Sequence, residues 1–354
     1  MTESTSEPAP ESAAPVRWGI LATGRIAHSF AADLMLVPDA QLTAVGSRRV
    51  ERAREFAAAY DHYGLARAHG SYEELVADPD VDVVYVASPH SHHLEHARLA
   101  LEAGKHVLCE KALTLNATEA EELVGVAKAN DRFLMEAMWT ACHPVIRALQ
   151  SELADGRFGT PRQLHAELGF VVTPEDPDRL FDASLGASVL LDMGIYPLTF
   201  AHLLFGEAEA LTAQADVRTT DAGSFDTDLV MTGRYARGVL ATLACSMSSW
   251  SSRAAAIGTD RGRIDLADFH HPAKAVFTEY AAGTHGTPSG RVVEIVGDEP
   301  VVGKGYGNEI LEVNRCLREE LLESPLVPLS QTLTLMRQMD WIRETVGARF
   351  ARET

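Results

Sequence analysis

Residues 16–47, VRWGILATGRIAHSFAADLMLVPDAQLTAVGS, decide the fold. An apolar run ends at Leu21, small residues fill Ala22 to Gly24, an amphipathic stretch starts at Arg25, and a second apolar run closes on Gly46 and Ser47. Short apolar runs suit strands buried on both faces, and apolar residues at helical spacing suit a covering helix. The alternation continues through RVERAREFAAAY, VDVVYVAS, HLEHARLALEAG, HVLCEK, NATEAEELVGVAKAN and FLMEAM. Strand and helix in strict turn predict a doubly wound parallel α/β domain over residues 16–137.

After MWTACHPVIRALQSELADGRFGTP the texture changes. RQLHAELGFVV, TDLVMTGRYARGVLATLACSMSS, AAAIGTDRGRIDL, AKAVFTEY and RVVEIV alternate polar with apolar and are joined by Gly, Asp and Ser turns. They predict a mainly antiparallel sheet in a second α/β domain, residues 138–354, with an apolar helix around Asp192 and two closing helices, GNEILEVNRCLREELLES and LSQTLTLMRQMDWIRETVGARFA. The apolar stretch 187–206 is long enough to cross a bilayer, but Asp192, Pro197 and His202 within it favour a helix buried in protein. Pro197 should kink that helix just after Tyr196.

Length and charge narrow the function. A chain of 354 residues is expected to form two cores, and 31 basic against 50 acidic side chains, a net charge of −19, argue against nucleic acid or an anionic membrane as partner. The four cysteines, Cys109, Cys142, Cys245 and Cys316, show no metal or redox spacing, so free thiols in a reducing, cytoplasmic setting are expected. Residues 1–15, rich in Ser, Glu, Pro and Ala, read as a disordered tail with neither signal nor anchor.

The first strand-to-helix turn is where a dinucleotide's pyrophosphate would sit. Small residues there admit the backbone, and the helix N-terminus favours the charge. Ala22, Thr23, Gly24, Arg25 and Ile26 take those places, with Ala22 where a glycine is usual. At the end of the second strand an NAD site usually carries a carboxylate for the ribose. Here stand Ser47, Arg48 and Arg49, which suit a 2′-phosphate and point to NADP, with NAD possible. Two further strand tips open into the same crevice: Ser88, Pro89 and His93 in SPHSHH, and Glu110 and Lys111 in CEKA.

Together GILATGRIA, ASPHSHHLEHA, CEKALTLNATEAEEL, FLMEAMWT and LLDMGIYPLTF resemble the glucose–fructose oxidoreductase and inositol dehydrogenase family (Gfo/Idh/MocA), in particular its branch of dimeric dihydrodiol dehydrogenases and NADP-linked xylose dehydrogenases. The resemblance implies an N-terminal Rossmann domain and a C-terminal α/β domain with a large, mostly antiparallel sheet used to form a homodimer or higher homo-oligomer. It implies hydride transfer between nicotinamide and a cyclic sugar, polyol or trans-dihydrodiol. It places Lys111, Asp192 and Tyr196 at the catalytic positions, His93 at the cofactor, and Trp139 and Phe170 on the substrate pocket. Ala112 stands where the family has proline, which should leave the backbone aiming Lys111 less constrained. The alternatives are a cofactor-binding regulator of the same fold, and an NAD-linked inositol or glucose–fructose type of enzyme.

Elementary chemistry agrees with the resemblance. Asp192 and Tyr196 are four residues apart on one helix and share a face, and Lys111 is their natural partner. Exchange of hydride at an alcohol carbon needs an acid/base, the role expected of Tyr196 with an adjacent ammonium lowering its pKa. The histidines His90, His92, His93 and His96 do not read as a metal site, since three or four converging ligands are needed. His270 and His271, before a proline, read as solvated loop residues, and the acidic EAEEL as a solvated helix face.

Overall fold

The computed structural model describes residues 14–61, 64–173 and 179–350. The tail read over residues 1–15 lies outside them except for Ala14 and Pro15.

The first sheet has strands β1 (Val16–Leu21), β2 (Ala40–Gly46), β3 (Arg67–His69), β4 (Val83–Val86), β5 (His106–Glu110) and β6 (Leu134–Ala137). They are all parallel, in the order β3-β2-β1-β4-β5-β6. Helices α1 (Arg25–Leu34), α2 (Val50–Tyr60), α3 (Tyr72–Val76), α4 (His93–Glu102) and α5 (Ala117–Ala129) make the crossovers. The order reverses between β1 and β4, so the crevice outside the carboxyl ends of these strands is the expected ligand position of such a sheet. Its strands are mainly apolar inside: Trp18, Ile20, Val84, Tyr85 and Leu108 are all buried, and the Phe30 and Tyr85 rings stack at 3.6 Å. Burial of each such side chain stabilises the fold by roughly 1.5–3 kcal/mol.

Helices α6 (Trp139–Cys142) and α7 (Pro144–Ala154) lead to the second sheet. Its strands are β7 (Pro161–Gly169), β8 (Ala210–Thr220), β9 (Gly223–Tyr235), β10 (Val239–Ser246), β11 (Ala255–Thr259), β12 (Gly262–Leu266), β13 (Ala275–Tyr280) and β14 (Pro288–Ile295). They run in the order β14-β13-β12-β11-β7-β10-β9-β8, antiparallel except for the β7–β10 pair. The stretch Ala183–Phe205 that has the length and apolarity of a membrane span is mostly buried inside the protein. It contains α8 (Ile195–Phe205), preceded by a wide π turn over Leu190–Gly194.

The proline effect therefore falls one turn earlier than expected, before Tyr196 rather than after it. A proline ring disturbs the carbonyl of the preceding turn, and a widened turn absorbs that clash.

Of the closing helices, α9 (Tyr306–Arg318) packs on α1, and α10 (Leu329–Val346) packs on α5 and on β8 of the second sheet, so that they bridge the two sheets. Asp33 of α1 accepts N–H groups of Lys304, Tyr306 and Gly307 at 2.8, 3.0 and 3.3 Å and so caps α9. The Trp18 indole donates to Asn314 at 3.1 Å, and the Ala117 amide to Asp340 at 2.8 Å.

Candidate active site

The pair Glu110–Lys111 ends β5, and its two charges point different ways. Glu110 is buried, accepts the Tyr85 hydroxyl, and takes the Lys111 main-chain N–H at 3.2 Å. Lys111 instead sends its ammonium across to the second domain. Its Nζ donates to the Asp192 carbonyl at 2.7 Å and to the Asp192 carboxylate at 3.2 Å, and lies 4.9 Å from the centre of the Tyr196 ring. In the i to i+5 register of the π turn, the donor to the Asp192 carbonyl would be Pro197, which has no N–H. Lys111 occupies that carbonyl in its place.

The backbone after Lys111 is held by side chains rather than by a proline ring. His90 Nε2 lies 3.1 Å from the Lys111 carbonyl, His93 Nδ1 lies 2.8 Å from the Ala112 carbonyl, and Glu136 accepts the Leu113 N–H at 2.8 Å. Glu136 is buried and also takes the Thr332 hydroxyl at 2.9 Å. The Lys111–Ala112 peptide bond is cis. The loss of proline at 112 thus does not leave this loop loose.

Tyr196 is buried and accepts the Trp139 indole N–H at 3.2 Å. Its phenol is pushed well above the ordinary tyrosine value, first by burial and then by the Glu110 carboxylate, with Asp192 and Glu309 adding to the rise. Sequence reasoning expected the Lys111 ammonium to lower it. The ammonium is turned to Asp192 instead, and burial wins.

Trp139 is walled by Gly305, whose φ of +112° and whose 2.9 Å gap from a built Cβ to the Trp139 ring both exclude a larger residue. His271 stacks on the same indole at 4.7 Å. Contrary to the solvated loop read from sequence, His270 is half-buried, with its ring edge-on to Tyr196 at 4.4 Å and to Trp139 at 4.9 Å. Only His271 is exposed. The available sequence signal was Asp268, whose carboxylate accepts both histidine N–H groups at 3.0 Å and folds the loop back on the site. Phe170 is half-buried beyond β7, and no described ring contact joins it to this cluster.

On the nucleotide side, Ala22 adopts φ 75°, the left-handed conformation usually given to glycine, and its N–H donates to Gly46 at 3.0 Å. Gly24 has an extended conformation open to any residue, and an added Cβ would meet the protein only at 3.8 Å. A side chain is absent there without the protein needing it, which leaves a cradle at the start of α1. The first turn of α1, with Arg25 and Ile26, has neither a capping side chain nor an acidic residue, so its N–H groups suit a phosphate. Ser88 Oγ is buried at the tip of β4 without a partner among the described residues. These features fit a dinucleotide.

Arg48 borders a cleft of about 540 Å³ with Gly70, Ser71, Tyr72, His96 and Leu99. Tyr72 and His96 meet edge to face at 4.7 Å, and burial, with help from His92, pushes the His96 imidazole down to about 4. Neither residue was singled out from sequence as a cleft wall. Ser47 is buried beside the cleft, while Arg49 is exposed at the start of α2. His93 turns both ring nitrogens to the protein, to the Ser88 and Ala112 carbonyls at 2.8 Å each. His92, Glu95 and His96 have ligand-type atoms within 4.8 Å of one another, but the two imidazoles stack rather than converge.

Residues 16–138 match the oxidoreductase family with an NAD-binding Rossmann fold, and residues 146–265 match the GFO/IDH/MocA C-terminal domain. The chain belongs to the GFO/IDH/MocA oxidoreductase family. Among its relatives in that family, the trans-1,2-dihydrobenzene-1,2-diol dehydrogenase of Bos taurus is 34% identical over 345 residues, 96% of this chain and 99% of the relative. The D-xylose 1-dehydrogenase (NADP(+)) of Hypocrea jecorina is 34% identical, covering 92% of this chain and 90% of the relative. Among solved structures, the 3-ketoreductase KijD10 from Actinomadura kijaniata, in complex with NADP and TDP-benzene, superposes with a TM-score of 0.79 at 26% identity, covering 94% of this chain and 98% of that one. Both GFO/IDH/MocA domains, and an oxidoreductase with a nicotinamide-binding Rossmann unit, are thus the setting for the Lys111–Asp192–Tyr196 cluster.

Proposed function

We propose that the protein is an NADP-dependent dehydrogenase or reductase that transfers hydride between the nicotinamide and a CH–OH carbon of a cyclic sugar, polyol or trans-dihydrodiol. The observation that carries this reading is the Lys111 ammonium, fixed by Asp192 and lying over the Tyr196 ring at the mouth of the crevice. The relatives named for a dihydrodiol and for xylose support the substrate class.

NADP would be held at the pyrophosphate by the backbone of Ala22 to Ile26, and at its 2′-phosphate by Arg48 with Ser47, beside the Tyr72 and His96 wall. When bound, its nicotinamide supplies or accepts the hydride. The chain's own groups do the rest. Tyr196 is the acid/base: burial keeps its proton on at neutral pH, so it can give that proton to a carbonyl oxygen. The Trp139 N–H fills one side of the phenol oxygen and leaves the O–H to point at substrate. Lys111 polarises the substrate oxygen, and in the alcohol-oxidising direction its charge stabilises the alkoxide as the hydroxyl proton leaves. Asp192 positions Lys111.

The exposed Val230, Leu240 and Val292 on the second sheet support a homodimer or higher oligomer formed through that sheet. Four buried free cysteines support a reducing, cytoplasmic setting. Absorbance of reduced nicotinamide, followed with a panel of aldoses, inositols and trans-dihydrodiols and either NADP or NAD, tests the reading. Signal with NADP that Tyr196→Phe loses is expected; silence across the panel contradicts it.

A further inference from the structure

Trp139 opens α6, and its indole is clamped from several sides. His271 stacks on it at 4.7 Å, the Tyr306 ring lies at 5.8 Å, and Gly305, in the left-handed region, closes against it with no room for a side chain. The loop that carries Gly305 and Tyr306 is itself fixed, because Asp33 accepts the N–H groups of Lys304 and Tyr306 at 2.8 and 3.0 Å. A buried indole held in this way aims its one N–H in a set direction, and at 3.2 Å in that direction lies the Tyr196 hydroxyl oxygen.

Among the described residues this is the one hydrogen bond donated to the phenol oxygen. The Lys111 ammonium lies near the ring and donates to Asp192 instead. Burial, then Glu110, Asp192 and Glu309, push the phenol up, while the Trp139 hydrogen bond pulls it down. The acid/base step needs that pull. As a carbonyl carbon receives hydride, the Tyr196 O–H bond breaks, its proton goes to the carbonyl oxygen, and the electron pair stays on the phenol oxygen as phenolate. Alcohol oxidation runs the step backwards, with the phenolate taking the hydroxyl proton as hydride leaves carbon. In both directions negative charge sits on the phenol oxygen in the transition state. A hydrogen bond to a charged oxygen is roughly twice as strong as one to a neutral oxygen, so a fixed donor stabilises phenolate more than phenol.

We propose that Trp139 is a catalytic residue whose Nε1–H stabilises the Tyr196 phenolate. This rests on the acid/base reading of Tyr196 above and gives the indole a task beyond walling a pocket.

The test uses a difluorinated tyrosine at position 196, whose ionisation fluorine NMR follows without interference from other residues, in the parent sequence and in Trp139→Phe, which keeps an aromatic wall and removes the N–H. Loss of the donor should move the ionisation midpoint up by about one to two pH units. In the protein that keeps Trp139, the indole N–H resonance should move downfield across the same titration, a readout that needs no substitution at 139. With tyrosine at 196, Trp139→Phe should lower kcat for alcohol oxidation about 10- to 100-fold with NADP affinity within a few-fold. The difluorinated and more acidic phenol should recover part of that loss. An unmoved midpoint, an indole resonance that ignores the titration, or a loss of turnover that the more acidic phenol does not recover overturns the assignment. A moved midpoint in a protein that turns over no alcohol or carbonyl substrate sinks the oxidoreductase reading and leaves the hold of Trp139 on the phenolate standing.

Discussion

The Lys111 ammonium meets both the carbonyl and the carboxylate of Asp192, 81 residues further along the chain, at 2.7 and 3.2 Å. Both side chains are about one-tenth exposed, Lys111 at 11% and Asp192 at 10%, so solvent screens the pair little. It joins the tip of the first sheet to the helix of the second domain that carries Tyr196. Asp192→Asn keeps the carbonyl contact and removes the charge, and should lower kcat about 10- to 100-fold with little change in NADP affinity. Asp192→Ala leaves the ammonium with the carbonyl alone and should in addition cost about 3 kcal/mol of stability. Steady-state kinetics and urea unfolding of the two variants check this.

The raised phenol of Tyr196 fixes the sign of a pH effect. A group whose pKa is pushed up keeps its proton as pH rises, so carbonyl reduction should show no alkaline limb below about pH 10. The pH profile of kcat/KM for reduction checks it. A limb near neutrality that disappears in Tyr196→Phe would mean that Lys111 overrides burial.

Arg48 borders the Tyr72 and His96 cleft, which Glu73, Glu95 and Glu102 also line, and the strand-end residues 46–49 hold no carboxylate for an NAD ribose. Arg48→Ala should weaken NADP about 10- to 100-fold and NAD less than about threefold. Calorimetric titration with both nucleotides decides; equal loss would put the 2′-phosphate elsewhere.

A second pH effect concerns stability. Asp78 is held to about 2 against its ordinary 3.8, burial being outweighed by Arg67, the Asp80 amide and His69. A depressed carboxyl stabilises the fold above its unfolded pKa and loses that contribution as pH falls through the folded value. Denaturant midpoints should therefore drop between about pH 4 and pH 2, and Asp78→Asn should flatten that drop.

Much of this was legible in the chain, for reasons particular residues show. β1, β2, β4 and β5 are near-continuous apolar runs, so period and length reveal them. β3, three residues long, and β8, a polar edge strand alternating between exposed and half-buried, carry too little apolar signal. The face shared by Asp192 and Tyr196 followed from their spacing, and the role of Lys111 from resemblance. The phenol's pKa direction did not follow, because it depends on burial and on Glu110, a neighbour in space only. His270 escaped for the same reason, since a histidine pair before proline gives no hint that Asp268 folds it onto Tyr196.

The most direct test of the Lys111–Asp192–Tyr196 cluster is turnover and NADP binding of Lys111→Ala measured side by side. Turnover about 10³-fold below wild type with NADP affinity within a few-fold is the expected result. Near-normal turnover, or a loss of activity explained wholly by lost NADP binding, would contradict the assignment of Lys111 to the chemistry.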